Sequence, residues 1–281
     1  MIFYDQHSHT NYSPDSRSTI KEVIYHIVEL NKMFKDKIAA IAFTDHLDML
    51  PPIKPLKFMF DIGKQQAEIE ELQSRENYIT NSYFPKLYKG IEIGLQPHSI
   101  EASKEYIAGY KFDVVIASLH FIDNLDPYRG TYFEGKDFKQ AFSHAFETMY
   151  NVVTQFEDFD ILGHFDYVAR YSPYEVKDIF YRDFPDELDA LLKYLAQNGK
   201  ALEVNTKTYA LHLNKHIQVL DIKVLKRFKE LGGECITLGS DSHSPERVGD
   251  KFDIYWELIK KAGFTHLTYF EERKPCIYTP E

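Results

Sequence analysis

Short apolar runs and longer amphipathic stretches alternate along most of this chain. The apolar runs fall at residues 1–5, 38–43, 87–93, 112–119, 160–163, 201–205 and 235–238. Many are rich in Ile and Val and do not alternate strictly with polar positions, as expected of strands covered on both faces. Between them, residues 19–31, 61–78, 136–156, 186–198 and 221–231 repeat their apolar positions at helical spacing. The punctuation agrees. Thr19 and Glu22 have capping-box spacing, Pro185 suits a first helical turn, and Gly199 and Gly232 fall where C-terminal caps belong. Strand–helix alternation repeated about seven times implies a parallel sheet. Even spacing favours closure into a barrel, although an open doubly wound sheet satisfies the same alternation.

Polar motifs sit at the ends of these predicted strands. His7-Ser8-His9 follows the first, Thr44-Asp45-His46 the second, and Glu92 ends the third. Ser118-Leu119-His120 ends the fourth, Gly163-His164-Phe165-Asp166 the fifth, and Ser240-Asp241-Ser242-His243 the last. Six of the twelve histidines therefore share the C-terminal edge of a parallel sheet, where active sites form. Residues i and i+2 of a strand face the same way, so His7 converges with His9 and Asp241 with His243. In a closed barrel the first and last strands adjoin, and those two pairs meet. Taken singly, each motif reads as an ordinary helix cap or a buried histidine. Together they read as a metal cluster, because imidazoles and carboxylates converging unpaired are costly to bury. The other histidines, at positions 26, 98, 144, 212, 216 and 266, follow no such rule and read as ordinary helix or surface residues. Asp15, in a turn-like Ser13-Pro14-Asp15-Ser16, is a further candidate ligand. With it the set is His7, His9, Asp15, His46, Glu92, His120, His164, Asp241 and His243. A catalytic ion usually keeps about three protein ligands, so this set suits two or three divalent ions, whether zinc, iron or manganese.

Composition narrows the classes. The chain has 281 residues, 44% hydrophobic, and a formal charge of −10. That excludes disorder and argues against a broad surface for long nucleic acids or anionic membrane. The two cysteines, Cys235 and Cys276, suit a reducing cytosol rather than a disulfide framework. The opening MIFYDQHSHT has neither a basic region nor a long apolar stretch, so no secretory leader is expected and the reading is cytoplasmic. No apolar run approaches the length of a membrane span, and no composition shift marks a domain boundary, so residues 1–281 read as one domain.

In order and spacing, these motifs resemble those of the PHP (polymerase and histidinol phosphatase) superfamily of metal-dependent phosphoesterases. The resemblance implies a distorted (β/α)7 barrel with its metal site at the C-terminal ends of the strands. It also implies that His7, His9, Glu92 and Asp241 hold a first ion, and that Glu92 bridges to a second bound by His120 and His164. Asp15, His46 and His243 hold a third; some members of the superfamily have histidine where this chain has Asp15. The chain length, Ser13-Pro14-Asp15-Ser16 and Ser118-Leu119-His120-Phe121 look most like the histidinol-phosphate phosphatases of that superfamily, enzymes of histidine biosynthesis.

The expected reaction is hydrolysis of a small phosphate monoester, with Glu92, Asp241 and His243 at the reacting centre. Metal ions activate a water and, with arginine, neutralise the phosphoryl oxygens. Arg17, Arg170 and Arg247 each follow a ligand motif and are candidate phosphate contacts, with Lys207 a further one. Residues 121–138, with Tyr128, Arg129, Tyr132 and Phe133, form a connection long enough to wall a substrate or simply to pack on itself. Residues 47–60, with Pro51, Pro52 and Pro55, pose the same choice. Alternative readings are a phosphoesterase for nucleotides or oligonucleotides, and a non-catalytic barrel whose metals are structural.

Overall fold

In the computed structural model, which describes residues 1–35, 37–52, 58–75, 78, 81–175, 178–210 and 220–281, strands and helices alternate through most of the chain. The first half runs β1 (Ile2–Ser8), α1 (Ile20–Met33), β2 (Lys37–Phe43), β3 (His46–Asp48), α2 (Ile62–Gln73), β4 (Lys86–Gly94), α3 (Ile100–Ile107) and β5 (Val114–Ser118). It continues with α4 (Phe138–Phe156), β6 (Ile161–Leu162), α5 (Tyr167–Arg170), α6 (Pro185–Gln197), β7 (Ala201–Asn205), α7 (Thr206–Ala210), α8 (Ile222–Glu230) and β8 (Ile236–Gly239). Helix α9 (Phe252–Lys261) and an antiparallel hairpin of β9 (Leu267–Glu271) and β10 (Lys274–Tyr278) complete the described elements.

Local chemistry sets the helix ends as the sequence implies. Thr19 and Glu22 form the reciprocal capping box of α1, Asp61 and Asp221 cap α2 and α8, and Pro185 opens α6. Gly199 and Gly232 adopt φ of 62° and 91°, the left-handed turn that ends the preceding helices without a Cβ penalty. Helix α2 stops at Gln73, short of the expected 78, and residues 76 and 77 lie outside the described set.

The parallel strands pair in the order β1-β2-β4-β5-β6-β7-β8. Between β8 and β1 no regular ladder forms. The amide of Asp241 donates to the His7 carbonyl, and the His9 amide to the Ser242 carbonyl, each at 2.8 Å. These bonds close the sheet at its C-terminal edge into a distorted seven-stranded (β/α) barrel, with β3 as an extra short strand paired to β4. That arrangement resolves the choice between barrel and open sheet.

Alternate strand residues face opposite ways. Ile41, Phe43, Val115, Leu162 and Leu202 join the large core under the helices, while Ala40, Ala42, Val114, Ile116, Ile161 and Ala201 fill the barrel around Tyr88 and Phe270. Phe270 belongs to β9. The Arg273 amide donates to the carbonyl of Asp113, just before β5, and the Tyr4 amide to the Tyr278 hydroxyl. The hairpin therefore plugs the N-terminal mouth and leaves the opposite mouth open for chemistry. Among the described residues no helix is long and apolar enough to cross a membrane.

Candidate metal centre

Glu92 lies in β4, two residues from its end, fully buried at the open mouth. Its Oε1 is 2.8 Å from His164 Nε2, 3.2 Å from His120 Nε2 and 3.4 Å from His7 Nε2, and it accepts the Ser118 hydroxyl at 2.7 Å. Its Oε2 is 2.7 Å from His46 Nδ1 and 3.5 Å from His9 Nε2. One carboxylate thus meets five imidazoles delivered by β1, β3 and the ends of β5 and β6. Strand β3 explains His46: after a two-residue break the chain rejoins β4 with His46 in register opposite Glu92. Strand β1 continues to Ser8 rather than ending at residue 5, so His7 is a strand residue. Its end is polar because it faces this cluster, which is why apolarity alone stopped the predicted strand short.

The remaining ligand candidates join the ring. Asp241 Oδ1 is 3.4 Å from His9 Nε2, while Asp15 Oδ2 is 3.1 Å from His243 Nε2 and 3.5 Å from His46 Nε2. All nine expected residues gather at one mouth, and overlapping sets such as His7–His9–Asp241, His7–Glu92–His164 and His9–His46–His243 bring their ligand atoms within 4.8 Å of one another.

Three imidazoles have Nδ1 held from behind. Glu203 Oε1 takes His7 at 2.7 Å, Asp48 Oδ1 takes His120 at 2.9 Å, and Ser13 Oγ is 3.1 Å from His9. With Nδ1 engaged, the Nε2 lone pairs turn inward, so His7 Nε2 and His9 Nε2 face each other at 3.1 Å. Two such lone pairs, together with a His46 Nδ1–Glu92 Oε2 approach that lacks hydrogen-bond geometry, fit shared cations rather than a hydrogen-bonded core. Neither Glu203 nor Asp48 was singled out in the sequence, because a lone carboxylate in or beside a strand carries no motif. The signal that exists is positional: Glu203 lies in the strand before Asn205, and Asp48 lies two residues after His46.

The electrostatics of the ring are mixed: against burial, the carboxylates of Glu203 and Glu92 hold His7, and those of Glu92 and Asp15 hold His46, well above the usual imidazole range. Burial, then the neighbouring His46 and His243, pushes the His9 imidazole well below its usual range, and burial lowers His164 to about 4. Against burial, the carboxylates of Asp48 and Glu92 raise His120 to about 9. Burial also opposes charge on Glu92 and Asp241. Around Glu92 the histidines, and around Asp241 the Lys207 and Arg170 cations, nonetheless hold each carboxyl well below its ordinary range.

A cavity of about 430 Å³ opens over this ring. Its walls are aromatic (Phe58, Phe121, Tyr128, Tyr167, Tyr171), acidic at Asp126, and cationic at Arg129, Arg170 and Lys207. Residues 121–138 do both things the sequence left open: Tyr128 and Arg129 border the cavity while Tyr132 and Phe133 are buried in the core. Phe58 brings the 47–60 segment to the wall; Pro55 lies outside the described residues. Of the arginines expected at phosphate, only Arg170 is here. Arg17 is exposed, Arg247 pairs with Asp250 at 2.8 Å, and neither borders the cavity, because spacing after a motif does not fix side-chain direction. His98, His144 and His266 stand apart from the cluster, and residues 212 and 216 lie outside the described set.

Residues 5–207 match the PHP domain family. The chain is 33% identical to a histidinol-phosphatase of Lactococcus lactis subsp. lactis, covering 96% of this chain and 95% of that one. It is 31% identical, over 97% and 98% of the two chains, to a Clostridium acetobutylicum protein named "Probable histidinol-phosphatase". A crystal structure of the Lactococcus lactis histidinol phosphate phosphatase, complexed with zinc, L-histidinol and phosphate, matches at a TM-score of 0.84 and 31% identity, covering 98% of this chain and all of that one. Barrel, histidine-rich rim and matched sequence agree, and the chain belongs to the PHP domain family.

Proposed function

We propose that residues 1–281 form a single-barrel, metal-dependent phosphatase that hydrolyses L-histidinol phosphate to L-histidinol and phosphate. The observation that carries this reading is the convergence of six histidines, Asp15, Glu92 and Asp241 beneath a cavity with cationic, aromatic and acidic walls. It is supported by near full-length relatives named for that activity and by a structural neighbour complexed with zinc, L-histidinol and phosphate.

In this reading His7, His9, Glu92 and Asp241 hold one ion, Glu92 with His120 and His164 a second, and Asp15, His46 and His243 a third. When bound, two or three divalent ions, with zinc the leading candidate, supply Lewis acidity and an activated water. Lys207 and Arg170 stand on the cavity wall, where cations attract phosphoryl oxygens, and Arg129 adds a third positive group. Phe58, Phe121 and Tyr167 offer apolar faces to an imidazole, and the buried Asp126 offers a carboxylate to its ammonium group. His243, whose Nδ1 is 3.1 Å from Lys207 Nζ, borders the cavity and in this reading serves the reaction as a ligand of the third ion beside that cation. A reducing, cytoplasmic setting belongs to the same reading, since Cys235 and Cys276 are both free.

Phosphate release from L-histidinol phosphate, a nucleoside 3′,5′-bisphosphate and a short oligonucleotide, each with and without chelator, tests it. Preferential, chelator-sensitive turnover of the first is expected. Equal slow turnover of all three defeats the substrate, and activity surviving exhaustive metal removal defeats the mechanism.

A further inference from the structure

The loop joining β1 to α1 carries both His9 and Asp15, and one carboxylate fixes its shape from behind. Asp45 is fully buried and accepts four hydrogen bonds. The Thr10 amide, at 2.7 Å, and the Ser13 hydroxyl, at 2.6 Å, donate to Oδ1. The Thr10 hydroxyl, at 2.7 Å, and Gln65 Nε2 of α2, at 2.6 Å, donate to Oδ2. Two donors on each oxygen fill the accepting capacity of an ionised carboxylate.

The Ser13 hydroxyl has a single proton and three polar neighbours. Asp45 Oδ1 can only accept, so the proton points there. The His46 amide, 3.0 Å away, can only donate, so it takes one lone pair of the oxygen. The lone pair that remains faces His9 Nδ1 at 3.1 Å, which must then carry hydrogen. His9 is therefore held as its Nδ1-protonated tautomer, with a bare Nε2 aimed at His7, Glu92 and Asp241.

We propose that Asp45 is a positioning residue of the metal centre, acting through Ser13 to fix the tautomer of His9 and through the loop to hold Asp15. It is not a ligand itself: both oxygens are occupied, and Asp45 does not border the cavity. The proposal rests on the metal-centre reading above.

The test uses the full chain and its Asp45→Asn, Ser13→Ala, Ser13→Thr and Ile69→Ala variants, loaded with manganese(II) or zinc(II). Retained metal is measured by elemental analysis after dialysis against graded chelator, alongside melting temperature and kcat and KM on L-histidinol phosphate. Asp45→Asn keeps one accepting oxygen toward Thr10 and Ser13 but removes the negative charge and turns the oxygen that holds the Thr10 hydroxyl and Gln65 into a donor, loosening the anchor of the loop and of the Ser13 proton. Ser13→Ala removes the relay while sparing most of the anchor. Both should hold their weakest ion roughly 10–100-fold less tightly, with kcat falling and KM within about twofold. Ser13→Thr keeps the hydroxyl and should restore wild-type metal retention. Ile69→Ala truncates a buried α2 side chain that takes no part in the hydrogen bonds to Asp45 and Ser13, and should lower the melting temperature yet keep the metal. Wild-type retention in both Asp45→Asn and Ser13→Ala overturns the proposal. So does equal metal loss in Ile69→Ala, because general loosening then accounts for the effect. A wild-type chain that binds no metal overturns the metal-centre reading, and this proposal with it.

Discussion

Arg170 Nη1 donates to Asp241 Oδ2 at 2.7 Å, while Nη2 reaches Asn205 Oδ1 at 2.8 Å and Nε reaches Thr208 Oγ1 at 2.6 Å. The Arg170 side chain is 1% exposed. Most of its donors are thus committed to the protein before any substrate arrives, and its first task is to orient a carboxylate of the metal ring. Lysine, with one nitrogen, cannot copy a three-way fork. Arg170→Lys should therefore lower kcat at least about tenfold, and leaving buried partners unpaired should cost about 3 kcal/mol of stability. Steady-state kinetics with calorimetry checks both; a rise in KM alone, at unchanged kcat and melting temperature, would show that Arg170 serves substrate binding only.

Lys207 is a different kind of cation. Its Nζ meets Asp241 Oδ1 at 3.0 Å but its side chain is 26% exposed toward the cavity. Lys207→Ala should raise KM for a phosphate monoester several-fold and weaken inhibition by inorganic phosphate. Arg17→Ala and Arg247→Ala should leave both constants at wild-type values, since neither residue borders the cavity. Competition assays with inorganic phosphate separate the two outcomes.

Much of this site is legible in the sequence because strand ends impose order: His7, His46, Glu92, His120, His164 and Asp241 each follow or close an apolar run, and parallel topology sends those ends to one mouth. What stays hidden lacks a local signal. Strand β3 is three residues long, too short for a period. Asp48 and Glu203 are single carboxylates whose importance appears only once an imidazole nitrogen lies beside them. Helices α3 and α9 lack the side-chain caps that announce α1, α2, α4 and α8: Ser99 makes no cap hydrogen bond, and Lys251 enters α9 in a left-handed turn with φ of 63°. Arg17 and Arg247 show the opposite limit: each follows a ligand motif in the sequence, yet neither lines the cavity.

The carboxylates behind the histidines should matter in proportion to the imidazole each one aims. Asp48→Asn leaves an amide against His120 Nδ1, and Glu203→Gln does the same at His7, where Glu203 Oε2 also accepts the His164 amide at 2.6 Å. Each should weaken metal binding roughly 10–100-fold. Glu203→Gln should also lower the melting temperature, because it disturbs two ring positions at once. Chelator titration followed by elemental analysis measures the first effect. Unchanged metal retention in both variants would mean that the imidazoles are aimed by packing instead.

The two mouths of the barrel divide the work, and one residue at the plugged end tests the division. Phe270 is 2% exposed and packs with Tyr88 inside the strands, while Ile277 on the same hairpin is 68% exposed. Truncating a buried aromatic costs its transfer free energy plus the cavity left behind, so Phe270→Ala should destabilise by about 3–5 kcal/mol. Ile277→Ala should stay within about 0.5 kcal/mol of the parent, since its side chain loses little burial. At a temperature where both variants remain folded, both should keep wild-type KM and metal content, because the ligand ring sits at the opposite ends of the same strands. Denaturant melts paired with kinetics decide it: a Phe270→Ala variant that keeps its stability but loses metal would show that the hairpin shapes the site rather than supporting the barrel beneath it.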